Sequence, residues 1–397
     1  MSFFSTNNPC PCESGLDYLY CCGAPDREKL NNIVNTVTEG EAAITKLTPA
    51  VQSCIDEMNT YPDLFPVRVN LFSDYVQWVK MSPFWYMESV FLDADRILGT
   101  YAFETDLQWL KAHADGIQWQ PTPVIFHTAF CGSTLMSKAL ATVYDTLPLR
   151  EPDALGALMV FFQSNTISDT EKHEWIGHVM RLFSRRFEPE QTTVVKANDA
   201  ANWMMKPLLE WQQDVPVLFM YTPLSEFLAG CFKAENRQDW IRERNGFIKN
   251  TAPQLLKLPA GLVIENDDIG KMAAIYWCYN IALYLDARQQ SPSQIRSLEF
   301  NQMLAYPIEI ITACGDFFQL NQQSGIFFDS EIKNLFGIYS KGGDQPYSAD
   351  TRRQEIDDLL AKHGDQLEQS LDLAKQILGE QYPEPYLPGS LVDLLPV

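Results

Sequence analysis

The chain has 397 residues, of which 46% are hydrophobic and 20% charged, so a globular protein with two or more core-forming units is expected. Its formal net charge of −21 argues against broad binding to nucleic acid or to anionic membranes, which needs a basic surface, but it allows a small local anion site. No apolar run is long enough for a membrane span, and the N-terminus lacks the charged and apolar regions of a signal peptide.

The nine cysteines are unevenly distributed. Four of them lie within the stretch "PCPCESGLDYLYCCG", whereas the other five are scattered singly in apolar surroundings. This pattern indicates a reducing, cytoplasmic setting with one metal site rather than a disulfide framework.

The clustered cysteines are predicted to bind a structural Zn²⁺ ion, because four thiolates complete a tetrahedral zinc site and leave no open position for catalysis. Ordinary free cysteines are the alternative. The predicted ligands are Cys10, Cys12, Cys21 and Cys22.

The same stretch resembles the SEC-C motif, P-C-P-C-G-S-G-x-x-Y-x-x-C-C-G, over about fifteen residues, Pro9 to Gly23. The resemblance implies a zinc knuckle that can dock a protein partner. The family often has lysines between the cysteine pairs, which favour nucleic acid or a chaperone. In this chain the corresponding positions are Leu16, Asp17, Leu19 and Tyr20.

The segments before residue 120 are mixed in character. Residues 27–60 are rich in helix formers and are predicted to form one helix or a helix pair. Residues 65–81 alternate apolar and polar positions around Ser73 and Asp74, which predicts a β-hairpin. Residues 83–119 give no clear pattern.

From residue 120 onward, strand-like runs alternate with helical stretches, which predicts an α/β domain with three layers, α/β/α, around a central parallel sheet. The predicted division is a zinc knuckle at 1–26, a helical and hairpin extension at 27–119 and the α/β domain at 120–397. The last fifty or so residues are predicted to form a Gly-Gly loop and one long acidic helix. The predicted strands are "PVIFH", "TTVVK", "VPVLFMY" and "IRSLEF".

The stretch "FHTAFCGSTL" (residues 126–135) has the strand–glycine–helix order of a phosphate-binding turn. A P-loop would carry a lysine directly after the glycine that aligns with Gly132, and Ser133 stands there instead. An ordinary ATPase or GTPase is therefore not predicted, and an atypical P-loop kinase is kept as an alternative.

The loop is similar to that of the sulfotransferase superfamily, [KR]-S-G-[ST]-T-L, which holds the phosphosulfate of 3′-phosphoadenosine 5′-phosphosulfate. Further segments resemble that superfamily in order and spacing over roughly residues 120–380: "LREPDAL", "VVKANDAAN", "VPVLFMYTPLSEFLAGCFK", "IRSLEFNQMLAYPIEIITACGDFFQL" and "SKGGDQPYS". The positions that the resemblance assigns to the nucleotide donor are Cys131, Gly132, Ser133, Thr134, Leu135, Tyr221, Lys341 and Gly342.

Three residues are candidates for the chemistry. The resemblance makes Glu151 the base for the acceptor hydroxyl, with a helix-initiating Glu before Pro152 as the alternative. It makes Lys196 a stabiliser of the sulfuryl oxygens, with a structural ion pair as the alternative. His127, at the end of the first strand, is a second candidate base, although a hydrogen-bonded structural role is favoured for it.

The chain departs from the superfamily at three positions that contact phosphate there, where it has Phe130, Tyr221 and Ala229. The predicted function is sulfuryl transfer from the nucleotide donor to a hydroxyl or amine acceptor. The alternatives are a degenerate interaction module tagged by the zinc knuckle, or the atypical kinase. Substitute cations are available along the chain at Lys138, Arg150, Lys196, Lys233, Arg237 and Lys341.

Overall fold

A computed structural model describes residues 62–162, 167–212, 214–336 and 349–392. The strands in these ranges are β1 (Leu64–Asn70), β2 (Tyr75–Lys80), β3 (Thr100–Thr105), β4 (Val124–His127), β5 (Thr146–Arg150), β6 (Thr192–Lys196), β7 (Val217–Tyr221) and β8 (Ile295–Glu299).

Helices separate most of the strands. They are α1 (Pro83–Glu88), α2 (Leu107–Asp115), α3 (Ser133–Val143), α4 (Asp153–Phe162), α5 (Asp169–Phe183), α6 (Met205–Trp211), α7 (Leu224–Phe232), α8 (Glu235–Ile248), α9 (Ala252–Leu255), α10 (Ile269–Gln290), α11 (Phe300–Ala305), α12 (Pro307–Phe318), α13 (Phe328–Phe336), α14 (Ala349–Lys362) and α15 (Gly364–Leu378), with 3₁₀ helices at Asp199–Met204 and Gly379–Gln381.

The first sheet is antiparallel, in the order β1-β2-β3. Its first two strands confirm the predicted hairpin. In the turn, Asp74 has a left-handed backbone (φ 52°). The Asn70 side chain accepts hydrogen bonds from the N–H groups of Phe72 and Ser73. The third strand was missed, because its sequence, "TYAFET", lies in an aromatic-rich segment with no long alternating pattern.

The second sheet has five strands in the order β5-β6-β4-β7-β8, and the pairs β4–β7 and β7–β8 are parallel. The predicted α/β class with a central parallel sheet is thereby confirmed. The runs assigned to strands correspond to β4, β6, β7 and β8. The strand β5 was not among them, because its Pro148 argues against an interior strand, and β5 is an edge strand, where proline is tolerated.

The described residues belong to two compact units. The first contains β1–β3, α1, α2, β5, α4, α5 and all of β6 except Lys196, and its core includes a stack of Phe65 on Phe183 with ring centroids 5.7 Å apart. The second contains β4, α3, β7, β8 and α6–α15, and its core includes Phe219 stacked on Tyr284 at 4.9 Å. The chain first passes into the second unit between Thr122 and Pro123.

Near the C-terminus, the single long acidic helix that was predicted is wrong, since the chain forms α14 and α15 with a break at His363 (φ −116°, ψ 23°). The predicted zinc ligands, the predicted helical segment 27–60 and the predicted loop residues Lys341 and Gly342 lie outside the described residues. No helix within the described ranges has the length and apolarity needed to cross a bilayer.

Gly315 in α12 tests the packing of the second unit. A Cβ atom at this position would overlap the ring and hydroxyl of Tyr144, whereas a Cβ at Gly364 would meet nothing within 4 Å. We expect Gly315→Ala to lower the free energy of unfolding by about 1–3 kcal/mol, because overpacking displaces the buried phenol. Urea denaturation measures the change, and Gly364→Ala is the control. Equal stability of the two variants would contradict this packing.

His113 in α2 gives the first unit a pH dependence. Its ring is buried between Trp78 and Trp109, and neither ring nitrogen has a hydrogen-bond partner among the described residues. Burial, followed by the charge of Arg185, lowers its pKa to about 3. Because the unfolded state binds the proton first, stability is complete above roughly pH 6.5 and falls toward pH 3.

We expect His113→Phe to flatten that dependence by up to about 1.4 kcal/mol per pH unit below pH 6, since phenylalanine keeps the stacking but cannot titrate. Urea titrations at pH 7, 6 and 5 measure it. The half-buried His173→Phe in α5 is the control, and an unchanged slope for His113→Phe would refute the assignment.

Candidate functional site

The loop between β4 and α3, residues 128–132, has an unusual backbone. Ala129, Phe130 and Gly132 all adopt left-handed conformations, with φ of 67°, 54° and 72°. Two of them carry a side chain, and each such residue costs about 1–2 kcal/mol relative to the right-handed form. Runs of this kind turn successive backbone N–H groups outward and create anion-binding concavities.

Gly132 is the N-cap of α3, and it offers no side chain to cap the helix. Its position against the Phe300 ring would not admit a Cβ atom, so packing alone explains the glycine. Within the described part of the chain, the N–H groups of Gly132, Thr134 and Leu135 donate to no acceptor. Free N–H groups at a helix start, together with the helix dipole, favour an anion.

The side chains of the predicted loop residues divide into two kinds. Ser133 and Thr134 bring hydroxyl groups to the first turn, and both are largely buried. Leu135 and Cys131 are buried as well, so these two residues present only backbone to a ligand.

The Cys131 thiol points into the protein and donates to the carbonyl oxygen of Met220. Burial raises its pKa to about 11, although the charge of Lys196 and N–H groups of Ser133 and Thr128 pull in the opposite direction. A thiol held in this way is protonated near neutrality and is not a nucleophile. Cys131 therefore has no part in the proposed chemistry.

Lys196 ends β6 and is completely buried. The next residue, Ala197, donates its N–H to the carbonyl of Ile125 in β4, which fixes the end of β6 against the strand that leads into the loop. The carbonyl oxygen of Ala197 also accepts from His127 Nε2, so the backbone next to Lys196 lies beside the end of β4 that leads into the loop. A buried lysine in this position is a source of positive charge at the loop.

His127 has both ring nitrogens engaged by the backbone. Its Nδ1 accepts from the N–H of Ala129 at 3.0 Å, and its Nε2 lies 2.9 Å from the carbonyl oxygen of Ala197, to which it donates. These partners fix a neutral tautomer. The structural role favoured for His127 thus matches its contacts, and a base at this position would have to break them.

Asn202 was not predicted as a site residue. Its Nδ2 donates to the carbonyl of His127 at 2.8 Å and to Asn280 Oδ1 at 2.6 Å, and its Oδ1 accepts from the His127 N–H. Asn202 therefore binds both the N–H and the carbonyl of His127 and holds the end of β4 in place. The sequence signal that could have drawn attention to this pair is its partner Asn280, a polar residue inside the buried apolar run "IYWCYN" of α10.

Asp199 forms a buried cluster with Arg244 and Tyr276. Arg244 Nε donates to Asp199 Oδ2 at 2.7 Å, and the Tyr276 hydroxyl donates to the same oxygen. The Asp199 carboxylate raises the pKa of Arg244 despite burial, while burial foremost raises the pKa of Tyr276. The neighbouring Asn198 caps the 3₁₀ helix by accepting from Ala201 N–H.

The Phe130 ring does not fold back over the loop but packs against helices α7 and α8. It contacts Phe227 and Trp240 with ring centroids 5.8 and 5.2 Å away, and the Arg237 guanidinium lies 4.7 Å from its centroid. Phe130 stands where the similar sulfotransferase loop has a cation. In this chain the ring of Phe130 contacts the guanidinium of Arg237, which belongs to α8.

The other candidate positions have different surroundings. Tyr221 is buried, and its hydroxyl accepts from the Leu387 N–H, so it packs against the C-terminal segment rather than offering itself to a ligand. Lys233 pairs with Glu355, and Arg150 donates to the carbonyls of α1 and Ser89. Neither of these two cations belongs to the loop.

Glu151 lies in the first unit, two residues before α4, with a left-handed backbone (φ 52°). Non-glycine residues in this conformation are uncommon and cluster at functional sites. Its assignment as the base stays a prediction.

No family model matches the chain, and a search of curated proteins finds no match. Three similar solved structures are a sulfotransferase domain from the curacin biosynthetic pathway (13% identity, 68% of this chain and 100% of that one, TM-score 0.36), a sulfotransferase from Alicyclobacillus acidocaldarius (14%, 64% and 97%, 0.32) and one from Mycobacterium avium (10%, 92% and 98%, 0.40).

The raised pKa of Cys131 gives a direct chemical test of the loop. In the folded protein at pH 8, we expect the Cys131 peptide to resist alkylation by iodoacetamide, because the thiol is buried and protonated. Mass spectrometry of tryptic peptides measures the alkylated fraction of Cys131. Alkylation in about 8 M urea, which should unfold the chain and expose the thiol, is the control. Rapid labelling without urea would mean that the loop opens.

Proposed function

We propose that the chain is a sulfotransferase-like transferase that binds the anionic end of a nucleotide donor on the loop between β4 and α3. The observation that carries this proposal is the juxtaposition of free N–H groups at the start of α3 with the wholly buried Lys196. Backbone donors and a fixed cation together suit an anionic group in a way that neither does alone.

The donor that we propose is 3′-phosphoadenosine 5′-phosphosulfate. The acceptor oxygen or nitrogen would form a bond to sulfur while the sulfur–oxygen bond to the 5′-phosphate breaks, which releases adenosine 3′,5′-bisphosphate. Positioning and charge neutralisation dominate transfers of this type. Lys196 and the hydroxyls of Ser133 and Thr134 would neutralise the charge that develops on the moving group.

The proton of the acceptor requires a base, for which Glu151 is our candidate. Its carboxylate would take the proton as the acceptor attacks, so that the acceptor leaves as a sulfate ester or sulfamate. His127 is a weaker candidate, because its Nδ1 lone pair already accepts from Ala129 and its Nε2 already donates.

A melting experiment tests the proposal. We expect adenosine 3′,5′-bisphosphate at about 1 mM to raise the melting temperature, because a ligand that binds only the folded state stabilises it by mass action. A rise with ATP and Mg²⁺ alone would favour the atypical kinase. The absence of a shift with either nucleotide would leave the interaction module.

Thr134→Val tests whether the loop is the binding site. The variant keeps the shape of the side chain but removes its hydroxyl, so we expect about tenfold weaker binding of adenosine 3′,5′-bisphosphate in isothermal titration calorimetry. Thr142→Val, near the end of the same helix, is the matched control. Equal affinities in the two variants would place the ligand elsewhere.

We also propose that Cys10, Cys12, Cys21 and Cys22 bind one structural Zn²⁺ ion. We expect about one zinc per chain by inductively coupled plasma mass spectrometry, and its loss when Cys10 and Cys21 are both changed to serine, because serine is a poor zinc ligand. Nucleotide binding should persist in that variant. Full zinc content in the variant would contradict the ligand set.

A further inference from the structure

Helix α8 separates its charges by face. Its carboxylates at Glu235, Asp239 and Glu243 recur every four residues and are exposed, whereas Arg237 and Arg244 are seven residues apart and partly buried. Positions seven residues apart lie on one face of a helix. Arg237 and Arg244, two of the three arginines of α8, therefore lie on a partly buried face of the helix, while its carboxylates face solvent.

The two arginines are in different electrostatic states. Arg244 is neutralised by the buried carboxylate of Asp199. Arg237 has no carboxylate partner among the described residues, and it donates instead to the carbonyl of Gly230 at 2.9 Å. In a chain with a net charge of −21, a partly buried guanidinium without a counter-charge calls for an explanation.

Arg237 is also connected to the loop. Its guanidinium lies over the face of Phe130, which has the left-handed backbone described above, and Trp240 packs against the same ring. A movement of the loop at Phe130 would therefore also displace Arg237 and Trp240. The helix therefore does two things at once, since it supports a strained loop residue and brings an uncompensated cation beside it.

We propose that Arg237 is the side-chain cation that binds the anionic group of the ligand at this loop. It takes the place of the lysine that a P-loop carries within its own sequence. The ligand would bind with backbone donors from α3 on one side and the planar guanidinium, with N–H groups in a fixed fork, on the other. This assignment rests on the proposed function and names the side chain that would replace the missing lysine of the loop.

Titration calorimetry of the full-length chain with adenosine 3′,5′-bisphosphate and with inorganic pyrophosphate tests the assignment. We expect Arg237→Gln to weaken both affinities about tenfold or more, and Arg237→Lys to recover part of the loss, since lysine restores charge without the fork. Arg242→Gln is the matched control, because Arg242 lies on the same helix but pairs with Asp239. Its affinity should stay within about twofold of the unmodified chain.

The outcomes are distinguishable. If the unmodified chain binds neither probe, the proposed function fails and this assignment with it. If the unmodified chain binds and Arg237→Gln binds equally well, only the assignment is overturned. If Arg237→Gln and Arg237→Lys lower the melting temperature equally without weakening the affinities, Arg237 merely supports Phe130, which also overturns it.

Discussion

The left-handed backbone between β4 and α3 is the constraint on which the candidate site depends. The chain must turn from a buried strand into a helix between His127 and Ser133, and it does so through three left-handed residues, of which only Gly132 is a glycine. Such a turn survives only where its surroundings hold it. The His127 ring accepts from Ala129, and the aromatic cluster of α7 and α8 encloses Phe130.

Positive charge is placed locally at one loop of a strongly acidic chain. A strongly acidic protein repels anions at long range, yet Lys196 and Arg237 place positive charge at one loop. The acidic residues of α8 face solvent and do not cancel it. A net charge calculated from composition therefore excludes an extended basic surface but does not exclude a small anion site.

Much of the architecture was predictable because it depends on local patterns. Short apolar runs identified β4, β6, β7 and β8, and an alternating pattern identified the hairpin. The long C-terminal helix was overextended because helix formers continue through His363, where the backbone nevertheless leaves the helical region. The spacing of apolar residues shows which segments favour a helix. It does not show where a single residue leaves the helical conformation.

By itself, the sequence determined the strand–turn–helix at residues 124–143 and the absence of a lysine in the turn, because both are written in consecutive residues. Only the tertiary structure brings the guanidinium of Arg237 to the ring of Phe130, because the two residues lie more than a hundred positions apart along the chain. It likewise decided that both nitrogens of His127 are occupied, since their partners are backbone atoms. Side-chain identity is local information, whereas proximity and hydrogen-bond saturation are fixed when distant segments pack together.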